Sequence, residues 1–398
     1  MSSDKPITIF CTDLDEATLE QFNSCANLDY VTKAALMPDA HNGYVAPIGA
    51  VLITKDKIVP AWVGYDIGCG VTAVKLTAEN LRTLAKEKAQ DIYEKVKTTV
   101  PMGMGKLHAE GEVHREQRTA FKKLVVELES KPHDPEILDF IRRKSPSNIG
   151  TLGEGNHFIE VGVGDDDNND EIWIIIHSGS RNIGHKVATK YMKKSAGTDA
   201  KFEQTFPLDV NSKEGQEYLA ILDFGLEFAL LNRLEMAVTV KECIEKILNE
   251  PIQFDMWTNK NHNHAIPEEI DGITQYIHRK GATPAKLGER GVIPGNMRDG
   301  AYLVEGLGSE KFLWSSSHGA GRKMSRRAAK ESISMEQFGE SMKGIVGTVQ
   351  PGTLDEAPAA YKDFEHVMNA QTESVKIVKH IKPFINWKGD VKSKNGRC

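Results

Sequence analysis

Apolar and polar positions along this chain follow two periods, and the changes between them divide it into predicted elements. Ala50-Val51-Leu52-Ile53-Thr54 and Val71-Thr72-Ala73-Val74-Lys75-Leu76 are short β-rich runs bounded by glycine or charged residues, which predicts strands. Over residues 78–100 the period lengthens: Leu81, Leu84, Ala85, Ala89, Ile92 and Val96 recur every three or four positions, the spacing of one helix face. A second helix is predicted over 116–129. Residues 131–147, with prolines at 132, 135 and 146, read as a connection carrying one short helix. Glu171-Ile172-Trp173-Ile174-Ile175-Ile176 is continuously apolar after its first residue and too short for a typical helix, which predicts a buried strand. The longest helical pattern covers 215–249, with Leu219, Leu222, Leu226, Leu230 and Leu234 on one face and a break expected near Gly225. Beyond Pro251 short strands and glycine turns run to about Ser316, and 325–342 is helical again. Strand runs interrupted by grouped helices predict an α+β fold rather than a regular βαβ succession. No linker or repeat divides the chain, so 1–398 is expected to form one integrated domain.

Composition narrows the function. The 398 residues are 40% hydrophobic and 27% charged, the balance of a folded chain, not of a disordered one. A net charge of −6 argues against a uniformly basic nucleic-acid coat and leaves room only for a local basic groove. The cysteines Cys11, Cys25, Cys69, Cys243 and Cys398 are widely spaced, with no redox or metal-knuckle pair, which fits a reducing cytoplasm. The acidic N-terminal segment and the lack of a long apolar run predict neither a signal peptide nor a membrane span.

Five polar groups stand at predicted strand ends or in glycine-rich turns, where a scaffold can aim them at one point. In Asp66-Ile67-Gly68-Cys69-Gly70 the glycines allow a tight bend that exposes the thiol, with Asp66 able to reach the same ion; a buried cysteine packing as a small hydrophobe is the alternative. Gly155-Asn156-His157-Phe158-Ile159-Glu160 and His177-Ser178-Gly179-Ser180-Arg181 each place a histidine beside small residues, as a metal ligand or simply a hydrogen-bonding side chain. Asn261-His262-Asn263-His264 offers two histidines on one face of an extended segment, or a solvated turn. Ser317-His318-Gly319-Ala320-Gly321-Arg322, followed by Lys323, Arg326 and Arg327, suits phosphate chemistry: backbone N–H groups and guanidinium forks hold phosphoryl oxygens, and an imidazole can attack phosphorus. A turn leading into a solvated basic helix face is the other reading. No Walker loop, paired-cysteine zinc site or dinucleotide fingerprint is present.

Taken together and in this order, these groups resemble the RtcB family of RNA ligases, from Met37-Pro38-Asp39-Ala40-His41 to Lys388-Gly389. Val63-Gly64-Tyr65-Asp66, Ile293-Pro294-Gly295 and Ala360-Tyr361-Lys362-Asp363 also match. The resemblance implies an α+β catalytic domain of mixed short strands and peripheral helices around a dinuclear site. It implies that Asp66, Cys69, His157, His177 and His262 bind two manganese ions, with the Cys69 thiolate shared. His262 is chosen because the family's His-Asn pair precedes Arg-Lys-Gly-Ala, here Arg279-Lys280-Gly281-Ala282, leaving His264 behind the site or at the surface. His318 becomes the nucleophile toward GTP, with Asn156, Glu160, Gly319, Ala320, Gly321, Arg322, Tyr361 and Lys388 as guanylate contacts. The implied reaction joins an RNA 3′-phosphate or 2′,3′-cyclic phosphate to a 5′-hydroxyl through histidine–GMP and RNA 3′-guanylate intermediates, in RNA repair or tRNA splicing. An archease-type activator is a partner some family members use. Arg181 and the run from Arg322 to Arg327 are expected to meet RNA phosphates. Three departures stand out: Asn296 replaces a usual serine, one glycine is missing from Ala40-His41-Asn42-Gly43-Tyr44-Val45, and the chain runs nine residues past Gly389.

Overall fold

A computed structural model describes residues 5–198, 201 and 203–389; Cys398 and both chain ends lie outside the described residues. Helix and strand are mixed, as an α+β chain requires, and two sheets carry the site. The larger runs in the order Arg290–Pro294, Ala301–Gly306, Val375–Lys388, Phe158–Gly164, Glu171–Ser178, Gly70–Thr77, Gln253–Asn261. The smaller runs Ile7–Ile9, Val31–His41, Ile48–Thr54, Ile273–Lys280, Asn263–Ile270. Asn261 ends an edge strand of the first and Asn263 begins an edge strand of the second, so His262 is the hinge between them.

The continuous apolar run at Glu171–Ser178 is a central strand buried at every residue. Alternation sends Ile172, Ile174 and Ile176 to one face, against Val74, Ile159, Val161, Met236 and Val240. Trp173 and Ile175 go to the other, against Val71, Ala73, Val292, Leu303 and Ile381. Burial on both faces removes the polar alternation that a half-exposed strand would show.

Helix Lys213–Leu248 packs across this sheet. Ser212 caps it by accepting from the Gly215 N–H at 3.0 Å, and Asn249 ends it in the left-handed region at φ 55°. The break expected near Gly225 does not occur. A Cβ at Gly225 would stand 3.0 Å from the Ile67 side chain, so this glycine admits the turn Asp66–Cys69 against an unbroken helix. The predicted single helix at 78–100 is two, Leu81–Glu87 and Ala89–Thr99, and 325–342 likewise divides into Arg326–Ser332 and Met335–Ser341. In the latter pair Ser334 starts a new helix with a capping box, its side chain and that of Gln337 each accepting from the other's backbone N–H. Helices Arg115–Glu129 and Pro135–Lys144 form where expected, while Glu16–Ala26 and Asn182–Ala196 were not anticipated. Among the described residues no helix is long and apolar enough to cross a membrane.

Candidate active site

Two buried arginine and asparagine side chains set the frame. Arg233, in the middle of the long helix, donates to the carbonyls of Gly68 and Ser178 at 2.9 and 2.8 Å and to the side chains of Thr72, Asn259 and Asn261. Asn232 beside it accepts from the Thr151 N–H and donates to the carbonyls of Thr151 and Gly179. One helical turn therefore ties down the ends of the strands that lead into Cys69, His177 and His262. Nothing in the local sequence pattern marked these two residues, because a polar pair inside a leucine-rich helix gains its meaning only from what lies opposite.

From that frame five side chains converge. Cys69 Sγ stands 3.1 Å from His177 Nε2 and 3.5 Å from His157 Nε2. His157 Nε2 is 2.9 Å from the Asp66 carboxylate, and His177 Nε2 is 3.3 Å from His262 Nε2. These form two groups able to hold a cation, Cys69–His177–His262 and Asp66–Cys69–His157, which share Cys69. His157 and His177 each donate Nδ1–H to a backbone carbonyl, of Leu152 at 3.0 Å and Asn156 at 3.2 Å, so their Nε2 nitrogens turn bare lone pairs inward. Burial, with neighbouring imidazoles adding to it, pushes the pKa of His177 and His262 well below the usual value and keeps both rings neutral. Burial, then the Asp66 charge, pushes the Cys69 thiol well up. Lone pairs of three imidazoles, a carboxylate and a thiol meeting in a buried space suit a divalent cation, which would ionise the thiol. Gly179 is required here: its Cβ would fall 2.2 Å from the Asp66 carboxylate oxygen.

His264 lies elsewhere. It is buried opposite Arg279 in the sheet register, with Nδ1 unpartnered, so it belongs to the core and neither to the cation cluster nor to the surface.

Next to the cluster stands His318, its ring centroid 4.9 Å from that of His262. It follows the short strand Ser315–Ser317, and its orientation comes from Asp39 on Val31–His41. One Asp39 oxygen accepts the His318 Nδ1–H at 2.6 Å and the backbone N–H groups of His318 and Gly319 at 3.1 and 3.3 Å. Nδ1 is thereby fixed as the protonated nitrogen, and Nε2 keeps a bare lone pair, the form in which an imidazole can act as a nucleophile. Asp39 is fully buried. Gly321 holds φ +73° with its Cβ direction 2.2 Å from the Asp39 carbonyl, the close approach that brings the loop onto that strand.

His318, Asp66, Cys69, His177 and His262 open into one cavity of about 740 Å³. Its lining also includes Asn156, Glu160, Gly319, Ala320, Gly321, Arg322, Tyr361 and Lys388, so the structure gathers every sequence-selected contact residue around one cavity. Glu160 is buried beneath the cavity, its Oε2 accepting from the Asn386 amide at 3.3 Å and its Oε1 unpartnered. Burial, opposed by Asn386 and by the Lys388 charge, pushes its carboxyl up to about 8. The side chain of Asn296 closes on its own turn, donating to Asp299 at 2.7 Å and accepting from the N–H groups of Arg298 and Asp299.

Among the basic residues Arg322, Lys323 and Arg326 line the cavity, and carboxylates behind the cavity hold the two arginines. Arg322 and Arg326 turn onto the carboxylates of Asp355 and Glu356, and Arg327 pairs with Glu331 on an exposed helix face. Arg181, at φ +59°, lies half-buried with its guanidinium on the Thr151 hydroxyl at 3.2 Å, under Gly153. Sequence reading passed over Asp39, Glu356 and Asn386 as well. Asp39 was discoverable, since it sits inside the Met37–His41 motif; the other two have no local signal.

An α+β chain in which residues able to hold a cation stand beside a carboxylate-held imidazole, both facing one cavity, has the groups that metal-assisted group transfer requires. Comparison with known proteins narrows that chemistry. The family described as tRNA-splicing ligase RtcB matches residues 21–389. The chain is 34% identical over 393 residues to the RNA-splicing ligase RtcB of Escherichia coli K12, covering 93% of each chain. It is 30% identical to the tRNA-splicing ligase RtcB of Nanoarchaeum equitans over 96% of this chain and 95% of that one. This chain belongs to the RtcB family of RNA ligases.

Proposed function

We propose that the protein is a GTP- and manganese-dependent RNA ligase that joins a 3′-phosphate or 2′,3′-cyclic phosphate end to a 5′-hydroxyl end in the cytoplasm. The observation that carries this reading is the free Nε2 of His318, fixed by Asp39 and opening beside the cation cluster into the cavity that holds Glu160, Tyr361 and Lys388. His318 Nε2 attacks the α-phosphorus of GTP; an N–P bond forms and the bond to pyrophosphate breaks. Asp39 stabilises the positive charge that develops on the ring as this happens. A 2′,3′-cyclic end is first opened by water, which adds to phosphorus as the bond to the 2′-oxygen breaks and leaves a 3′-phosphate and a 2′-hydroxyl. An oxygen of the RNA 3′-phosphate then attacks the phosphorus of the adduct, and the N–P bond breaks with its electron pair returning to His318. Finally the 5′-hydroxyl oxygen attacks the 3′-phosphate phosphorus and GMP leaves. Asp66, Cys69, His157, His177 and His262 are the residues that would hold two manganese ions. Such ions offset phosphoryl charge and orient leaving groups.

Glu160, with an unpartnered oxygen beneath the cavity, suits the N–H edge of guanine; Arg322 and Lys388 suit the phosphate or base oxygens. In the test, α-labelled GTP and manganese are incubated with the protein without RNA, followed by denaturing electrophoresis. A labelled band that survives alkali, breaks down in acid and vanishes in His318→Ala is expected. Label mapped to a lysine would overturn the mechanism. His318→Ala should still join an RNA already bearing a 3′-guanylate cap, which separates the nucleophile from structural support.

A further inference from the structure

Glu356 ends the short 3₁₀ turn Pro351–Glu356, and although it carries an ionisable carboxyl it is buried. Its two oxygens are fully used. Oε2 accepts from the Tyr361 hydroxyl at 2.6 Å and the Lys388 ammonium at 2.7 Å. Oε1 accepts from Arg326 at 2.5 Å and Arg322 at 3.2 Å. These four donors come from the C-terminal strand, the loop after His318, the start of helix Arg326–Ser332 and the turn at Tyr361, and all four line the cavity. We propose that Glu356 is a positioning residue for the nucleotide, a buried carboxylate that meets all four side chains and, with Asp355 as a second partner of Arg326 and Arg322, holds them in the places from which they meet GTP.

The inference rests on the reading of the cavity as a GTP site and goes beyond it by naming what organises that site. Chemistry supports it. Lys388 is buried among Glu356, Arg322, Arg326 and Tyr361, above the Phe158 ring at 5.4 Å, with Glu160 and His177 as the charged or titratable neighbours on the adjoining strands. Burial pushes its pKa down, and the Glu356 charge and hydrogen bond are what resist that fall. The same carboxyl is held at about 2: burial raises it, but Lys388, Arg326 and Arg322 outweigh burial. Without the Glu356 charge, Lys388 would give up its proton at lower pH, and two guanidiniums and a hydroxyl would lose their common anchor.

The experiment uses the full chain, Glu356→Gln and Glu356→Asp, following labelled-adduct formation against GTP concentration and pH, with manganese binding by equilibrium dialysis. In Glu356→Gln the KM for GTP should rise roughly tenfold or more, the loss of charge-assisted bonds. Its alkaline limb should move to lower pH, with manganese affinity unchanged. Glu356→Asp restores the charge with a shorter reach, so its alkaline limb should return to the wild-type position while its KM stays raised. A merely structural role would move neither the limb nor the KM selectively. Wild-type KM and pH limb in Glu356→Gln would overturn the inference; if that variant does not fold, a wild-type KM in Glu356→Asp would do the same. Failure of the wild-type protein itself to form an adduct would instead overturn the reading of the cavity.

Discussion

Asp39→Asn is the substitution that most directly tests how His318 is prepared. The wild-type carboxylate oxygen takes three N–H groups, from the His318 ring, the His318 backbone and the Gly319 backbone. Asparagine keeps the volume but loses the charge, and its amide can turn a donor toward the three donors it faces. If its oxygen still faces them, the loss is that of a charge-assisted bond, about 1.5–3 kcal/mol. Since 1.4 kcal/mol is a factor of ten, that corresponds to a roughly 10- to 150-fold slower guanylylation. If the amide flips, the ring takes the other tautomer, Nε2 carries the proton, and the loss is larger. The assay is the single-turnover rate of labelled-GMP attachment at saturating GTP and manganese, with thermal unfolding as a control for the buried polar change. Joining of a preformed 3′-guanylate RNA should be much less affected, because His318 has no bond to make in that step. A guanylylation rate within twofold of wild type, in a folded variant, would refute the claim that Asp39 sets the reactive nitrogen.

Cys69→Ala should do the most damage among the cation ligands, since Cys69 is common to both ligand groups; manganese binding and adduct formation should fall together, as on chelation, and full activity at saturating metal would sink the assignment. Gly179→Ala, with its Cβ 2.2 Å from Asp66 Oδ1 and 3.3 Å from the Cys69 backbone, should weaken manganese binding by roughly 10- to 100-fold, measured by dialysis. Glu160, held at about 8, should keep its proton in the empty cavity at neutral pH; guanine N–H donors favour the carboxylate, so GTP binding should release a proton and tighten as pH rises toward 8. Calorimetry in buffers of different ionisation heat reads this, and a buffer-independent heat at pH 7 counts against it. The sign for stability is opposite: between about 4.3, the unfolded value, and the folded value, the empty native state holds the extra proton, so its stability falls as pH rises, a slope that Glu160→Gln should remove.

Periodicity alone located the buried strand Glu171–Ser178 and the helix Lys213–Leu248, because hydrophobic spacing is a local record of which faces are covered. The motifs named candidate ligands and contacts that the fold brings together, since ligand types and glycine collars are written locally. What the sequence could not hold is which face a polar residue meets. Gly225 reads as a helix breaker until Ile67 is seen against it, and His264, equal to His262 by spacing alone and set aside only by the family motif, is turned into the core by the sheet register. Arg326 reads as a free cation until Asp355 and Glu356 close on it. Asp39 and His318 are separated by 279 positions, and Glu160 and Asn386 by 226. Pairings at that range are decided by how two sheets and one long helix pack, which no local pattern encodes. The sequence by itself therefore determined the main strands and helices, the family and most of the candidate reactive groups, but not the helices Glu16–Ala26 and Asn182–Ala196. The tertiary structure decided which nitrogen of His318 is free, that Cys69 stands within reach of both candidate ligand groups, and which carboxylates hold Arg322, Arg326 and Lys388 in place, because each of those depends on distances between segments that meet only in the folded chain.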